Sequence, residues 1–64
     1  MIKSIYVESI GNIEVGSPSM GERRYEKIFY EPNIEMYQCF LDGKIVEAFN
    51  KRYVVMVSYF DDEA

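Results

Sequence analysis

The stretch that bears most directly on the fold is Tyr53-Val54-Val55-Met56-Val57-Ser58-Tyr59-Phe60, eight residues of which only the serine lacks a large apolar or aromatic side chain. Charged residues bound it, with Lys51-Arg52 before and Asp61-Asp62 after. A short, unbroken run rich in β-branched and aromatic residues is typical of a strand buried on both faces. We therefore predict that this run is the central strand, with Val55 and Val57 fully buried.

The chain is short, acidic and rich in aromatic residues. Its 64 residues are 48% hydrophobic and 16% aromatic, and 11 acidic against 7 basic side chains give a net charge of −4. A domain of this size has a thin core, and a single cysteine, Cys39, allows no internal disulfide. We expect one small domain over residues 1–64 with a mobile acidic tail at 61–64. The apolar excess predicts a homodimer or higher oligomer.

The sequence lacks the chemical groups that several classes of function need. The chain has no histidine, so a serine or cysteine nucleophile has no ordinary base and a zinc site has too few ligands. No glycine-rich phosphate loop is present. We predict no catalytic residue, no metal and no cofactor. The negative charge argues against direct binding to nucleic acid, and we expect no measurable binding to generic DNA or RNA.

The location of the protein is predicted from two features of the sequence. Its start, Met1-Ile2-Lys3-Ser4-Ile5, has no continuous apolar segment of the kind that a signal peptide needs. A single cysteine suits a reducing compartment. We expect a cytoplasmic protein that does not insert into a membrane.

The first part of the chain alternates as a strand over residues 2–9, with Ile5 and Val7 facing inward. A three-residue loop at 10–12, with Gly11 or Asn12 at positive φ, would pair Val7 with Val15. Residues 23–31 mix charged and aromatic side chains, which favours an edge strand. Pro32 fits the second position of the turn that follows.

Asp42-Gly43 is the strongest hairpin signal, and it predicts a two-residue type I′ loop between strands 34–41 and 44–49. That register places Met36, Phe40, Ile45 and Phe49 on one face and Tyr37, Cys39, Val46 and Ala48 on the other. Both faces of this ribbon are apolar. A competing interpretation makes the segment near 33–41 a short helix that begins after Pro32, which would give an α+β fold.

The fold predicted from these patterns is all-β: one antiparallel sheet of about five strands, curled or closed into a small barrel. The loop at residues 16–22, of sequence GSPSMGE, carries an apolar side chain, Met20. Basic and aromatic residues follow it. The candidate partner- or ligand-binding residues are Met20, Arg23, Arg24, Tyr25, Lys27 and Tyr30.

The surplus of aromatic side chains beside acidic ones predicts a small interaction protein that binds and blocks a larger host protein. The composition resembles that of the small inhibitors made by bacteriophages and mobile elements, a likeness of composition alone. The alternative is an oligomeric binder, or sponge, for a nucleotide-like ligand, with tyrosines for stacking and Arg23, Arg24 and Lys27 for phosphate. A flat apolar patch with an acidic border favours the first; a basic, tyrosine-lined groove favours the second.

Overall fold

The computed structural model describes residues 1–16 and 25–61, and within them the chain is all-β, as predicted. Six strands and one short 3₁₀ helix follow one another along these residues. The elements are β1 (Ile2–Val7), β2 (Gly11–Glu14), β3 (Lys27–Glu31), β4 (Met36–Leu41), β5 (Lys44–Asn50), the helix Lys51–Tyr53, and β6 (Val54–Tyr59). The strands form two antiparallel sheets of three, so the expected single sheet is divided, and these residues form no closed barrel.

Sheet I has the strand order β2-β1-β6, with β1 at its centre. The turn between β1 and β2 has the predicted three residues but occupies 8–10, so Ile5 pairs with Ile13 and Val7 with Gly11 rather than with Val15. Ser9 takes φ 70° and Gly11 takes φ 115°, which lets the chain reverse. The shift in register is an even number of residues, so the apolar face stays inward.

Sheet II has the order β3-β4-β5. Its β4–β5 hairpin turns at Asp42-Gly43, where φ is 55° and 75°, as a type I′ loop requires. Leu41 pairs with Lys44 and Phe40 with Ile45, as predicted. The alternative helix near 33–41 is wrong, because Met36–Leu41 is a strand paired on both sides.

One residue changes the predicted faces of that hairpin. The register shifts after Phe40, so that Cys39 faces Glu47 and Val46 has no direct partner. Such a bulge moves every later side chain of the strand to the opposite face. Phe49 therefore lies opposite Tyr37 on the inner face, and Ala48 lies on the outer face, the reverse of the prediction.

The core lies between the two sheets, where β1 packs against β3. Ile5 is 0% and Cys39 0% exposed, one from the central strand of each sheet. The remaining buried side chains of the described residues are Ile2, Val7, Ile13, Tyr25 and Ile28. Partly buried residues from β4, β5 and β6 pack around them. The central strands β1 and β4 thus supply the most deeply buried side chains.

The apolar run at residues 53–60 is not the central strand. It forms β6, which pairs with β1 alone and lies at the edge of sheet I. Val55 is 63% exposed and Val57 is half-buried, so the prediction that both are fully buried is wrong. The helix Lys51–Tyr53 precedes β6 and carries the chain from sheet II to sheet I. Asn50 caps that helix by accepting a hydrogen bond from the Arg52 amide at 3.0 Å.

Candidate protein-binding surface

The side of sheet II that faces away from sheet I carries a grid of nine side chains. Strand alternation places it opposite the buried Ile28 and Cys39. Each row of the grid takes one residue from β3, one from β4 and one from β5. The rows are Lys27, Phe40 and Ile45; then Phe29, Gln38 and Ala48; then Glu31, Met36 and Asn50. We call these nine residues the outer face.

The outer face is largely apolar and uncovered within the described residues. Five of its nine side chains are apolar: Phe40 and Ile45 in the first row, Phe29 and Ala48 on either side of Gln38 in the second, and Met36 in the third. Phe29 is 44% and Ile45 51% exposed. A protein surface rarely leaves neighbouring large apolar side chains open to water unless they serve binding. The outer face is therefore the strongest candidate for a functional surface on this chain.

Lys27 lies within the apolar part of the outer face. Its ammonium nitrogen is 4.6 Å from the centroid of the Phe40 ring and 5.8 Å from that of Phe29. Both distances are within the range of cation–π attraction. The side chain therefore covers part of the two rings while presenting a positive charge to any partner.

Acidic residues border the outer face at both ends. Glu26 and Asp42 lie at the hairpin end, where a Glu26 carboxylate oxygen accepts a hydrogen bond from the Gly43 amide at 3.4 Å. Glu31 lies at the other end, and its carboxylate accepts a hydrogen bond from the Asn33 amide at 3.1 Å. The border is thus fixed in part by hydrogen bonds to the turns.

The inner side of the same sheet carries tyrosines. The rings of Tyr30 and Tyr37 are 4.7 Å apart at an interplanar angle of 44°. Burial raises the pKa of the Tyr37 hydroxyl above its usual value, and the nearby hydroxyls of Tyr59 and Tyr30 add to the rise. Lys51 lies close to this group, but its ammonium is bound to Glu35 at 3.3 Å, a contact that raises the pKa of Lys51.

The structure separates the candidate residues named from sequence. Met20, Arg23 and Arg24 lie outside the described residues. Tyr25 is 2% exposed, and its hydroxyl donates a hydrogen bond to the Glu47 carboxylate, so its ring packs in the core and does not reach a partner. Lys27 is exposed on the outer face, whereas the half-buried Tyr30 points to the inner face.

Sequence reasoning missed most of the outer face as a site. Phe29, Phe40 and Ile45 were assigned only to strands. A signal for them is present in the sequence. The predicted β4–β5 hairpin is apolar on both faces, and the neighbouring strand β3 also has apolar side chains at alternate positions. A single sheet has only one face that a second sheet covers, so one of the two apolar faces had to remain exposed.

Neither a metal site nor a membrane-spanning helix is found in the part of the chain that the structure describes. No three side chains among His, Cys, Asp and Glu are grouped to hold an ion in residues 1–16 and 25–61. Over the same ranges, no helix has the length and apolar character needed to cross a bilayer. Comparisons of the chain with protein-family models, curated proteins and solved structures found no match.

Proposed function

We propose that this small all-β protein is an interaction protein whose outer face docks on an apolar surface of a larger protein. The observation that supports the proposal is a cluster of neighbouring apolar side chains, Phe29, Phe40 and Ile45, of which Phe29 and Ile45 are exposed, with acidic residues at both ends of the face. An interface of this kind has an apolar centre and a polar rim. Covering a large side chain that is half exposed contributes about 1 kcal/mol to binding.

The chemistry of the outer face indicates the partner that fits it. The apolar cluster of Phe29, Phe40 and Ile45 needs an apolar surface on the partner. The ends, at Glu26, Asp42 and Glu31, suit lysine or arginine side chains on the partner's rim. Lys27, which already lies against two rings, suits a carboxylate at one position near the centre. Because Lys27 and Lys44 also lie at the hairpin end, the expected partner is a protein with an apolar patch and a rim that carries both basic and acidic side chains.

We further propose that the protein acts by blocking this partner and performs no catalysis. A viral or mobile-element inhibitor of a host protein would work in this way, and we place it in the cytoplasm, where its single thiol stays reduced.

The alternative, a nucleotide-like ligand held between subunits, stays a prediction. Lys27 and Tyr30 were expected to serve it together. They point to opposite faces of β3, so one ligand on either face contacts only one of the two. The tyrosines of the inner face lie beside a lysine that is already paired with Glu35.

The test uses two matched serine substitutions. Phe29→Ser alters the outer face and Tyr6→Ser alters the exposed side of sheet I, at side chains that are 44% and 47% exposed. The tagged wild-type chain is used to capture its partner from the native host cell, and the purified partner is then titrated with each variant. Phe29→Ser is expected to weaken binding by about tenfold, which corresponds to 1.4 kcal/mol, and Tyr6→Ser to leave it unchanged.

Thermal unfolding of both variants checks that each is folded at the temperature of the titration. Binding that is lost in Tyr6→Ser and retained in Phe29→Ser would refute the outer face as the docking surface.

A further inference from the structure

One of the four strands at the sheet edges lacks the usual protection against pairing with another chain. Natural edge strands carry charged side chains that prevent their free hydrogen-bonding groups from joining a foreign strand. Three of the edge strands follow this rule and β6 does not. Charges occur at Glu14 in β2, at Lys27 and Glu31 in β3, and at Lys44 and Glu47 in β5, whereas Val54–Tyr59 has none.

The geometry of β6 leaves a regular segment open at the edge. A bulge at Val55 separates the pairs Tyr6–Met56 and Val7–Val54. The other register shift, between Ile2 and Ser4, comes from an extra residue in β1. Met56–Tyr59 therefore continues as a regular strand. Met56 is 65% and Tyr59 59% exposed, and the described residues place only β1 beside β6. About four residues are thus free to pair on the far side.

The charges that flank β6 are of opposite sign at its two ends. Lys51-Arg52 precede the strand, and Asp61 follows it, with Arg52 and Asp61 both exposed. Two copies of the strand that lie antiparallel bring the basic end of each beside the acidic end of the other. Because β6 itself carries no charged side chain, two paired copies of it place no like charges opposite each other within the strand, whatever their register.

We propose that a second copy of this chain pairs with the first through β6, antiparallel and around a twofold axis. The product is a continuous six-stranded sheet, β2-β1-β6-β6-β1-β2. Complementary ends explain how two chains that each carry a charge of −4 associate at this edge. The outer face of sheet II takes no part in the pairing and stays available to a partner protein.

The first experiment measures the dimer dissociation constant by sedimentation equilibrium for three proteins: wild type, Met56→Lys and Ile45→Lys. The two lysines replace side chains of similar exposure, 65% and 51%, on edge strands of different sheets. We expect a wild-type dimer at micromolar concentration, about tenfold weaker association in Met56→Lys and little change in Ile45→Lys. A monomeric wild type, or a dimer disrupted by Ile45→Lys and not by Met56→Lys, would overturn the proposal.

A charge exchange tests the orientation of the pair. Arg52→Asp is expected to weaken the dimer several-fold at low salt, and adding Asp61→Arg is expected to restore it, because the flanking charges are exchanged and complementary again. Failure of the double variant to recover would exclude the antiparallel arrangement. Phe29→Ser serves as the control for the proposed function, since it is expected to weaken partner binding and to leave the dimer intact.

Discussion

The two faces of sheet II are built from similar side chains and differ in what covers them. On the inner face, Ile28 is 3% and Cys39 0% exposed, because sheet I packs against them. On the outer face, the adjacent residue Phe29 is 44% exposed, and the Lys27 ammonium lies 5.8 Å from the centroid of its ring. Apolar character therefore serves stability on one side of a strand and is available for binding on the other. Which role a residue has depends on the second sheet and not on its own type.

The largest expected difference between the faces is in stability. Ile28→Ala leaves a cavity between the sheets and should lower the free energy of unfolding by about 2–5 kcal/mol. Phe29→Ala removes a larger side chain from the outer face and should cost at most about 1 kcal/mol, since no cavity forms. Urea unfolding measures both. Equal losses would mean that the outer face is packed as part of the core.

High pH should destabilise the protein through the inner face. Burial raises the pKa of the Cys39 thiol from 9.0 to about 12, and the nearby Glu47 carboxylate adds to the rise. Between these values the unfolded chain has released a proton that the folded protein keeps. The free energy of unfolding therefore falls as pH rises, at up to about 1.4 kcal/mol per pH unit. The raised pKa of Tyr37 acts in the same direction above 10.0.

Urea unfolding from about pH 8 to about pH 11 measures this slope. Cys39→Ala is the matched control, because it keeps a small apolar side chain and has no thiol to ionise. Its stability should be lower at about pH 8, and its slope should be shallower. Parallel slopes for the two proteins would show that the thiol is not the group responsible.

The smallest expected effect belongs to the charge within the outer face. Lys27→Met keeps the length of the side chain over Phe40 and Phe29 and removes the cation. The loss of cation–π attraction at an exposed site should lower the free energy of unfolding by about 0.5–1 kcal/mol. Thermal unfolding of Lys27→Met and of Lys44→Met, a lysine on the edge strand β5, makes the comparison. A larger loss in Lys44→Met would contradict it.

Local signals in the sequence were enough to predict part of this architecture. Asp42-Gly43 determined its own turn type and the first two pairs beside it, because a type I′ loop depends on the two residues themselves. Glu31 and Pro32 likewise placed the turn after β3, where the Ile34 amide donates to the Glu31 carbonyl at 3.3 Å. Neither feature requires knowledge of the rest of the chain.

Such local signals do not predict the order of strands in a sheet. The run at 53–60 is the most apolar of the sequence, yet β6 lies at an edge, while the alternating β1 lies at a centre. An apolar run has the same composition whether its second face meets another layer or remains exposed. The bulge at Val46 was equally invisible, because a bulge of this kind depends on how two strands fit and not on a turn residue.

The sequence predicted the chemical character of the candidate site better than the residues that form it. Lys27 was named and lies on the outer face, but Tyr25 was named as a contact residue and packs in the core against Ile28 and Cys39 as part of one cluster. The two residues are two positions apart, and a regular strand would place both on one face. They lie on different sides because Tyr25 precedes β3, in an isolated bridge with Val15, and the chain bends at Glu26.

The position of Cys39 also gives a way to observe opening of the protein in a complex mixture. An alkylating reagent reaches this sulfur only in molecules whose two sheets have moved apart, since the side chain is 0% exposed. The chain has one cysteine, so each added mass reports labelling at this one site. Dividing the labelling rate by that of a short unstructured peptide gives the equilibrium constant for opening without denaturant. In an extract that contains the partner, slower labelling would measure binding directly.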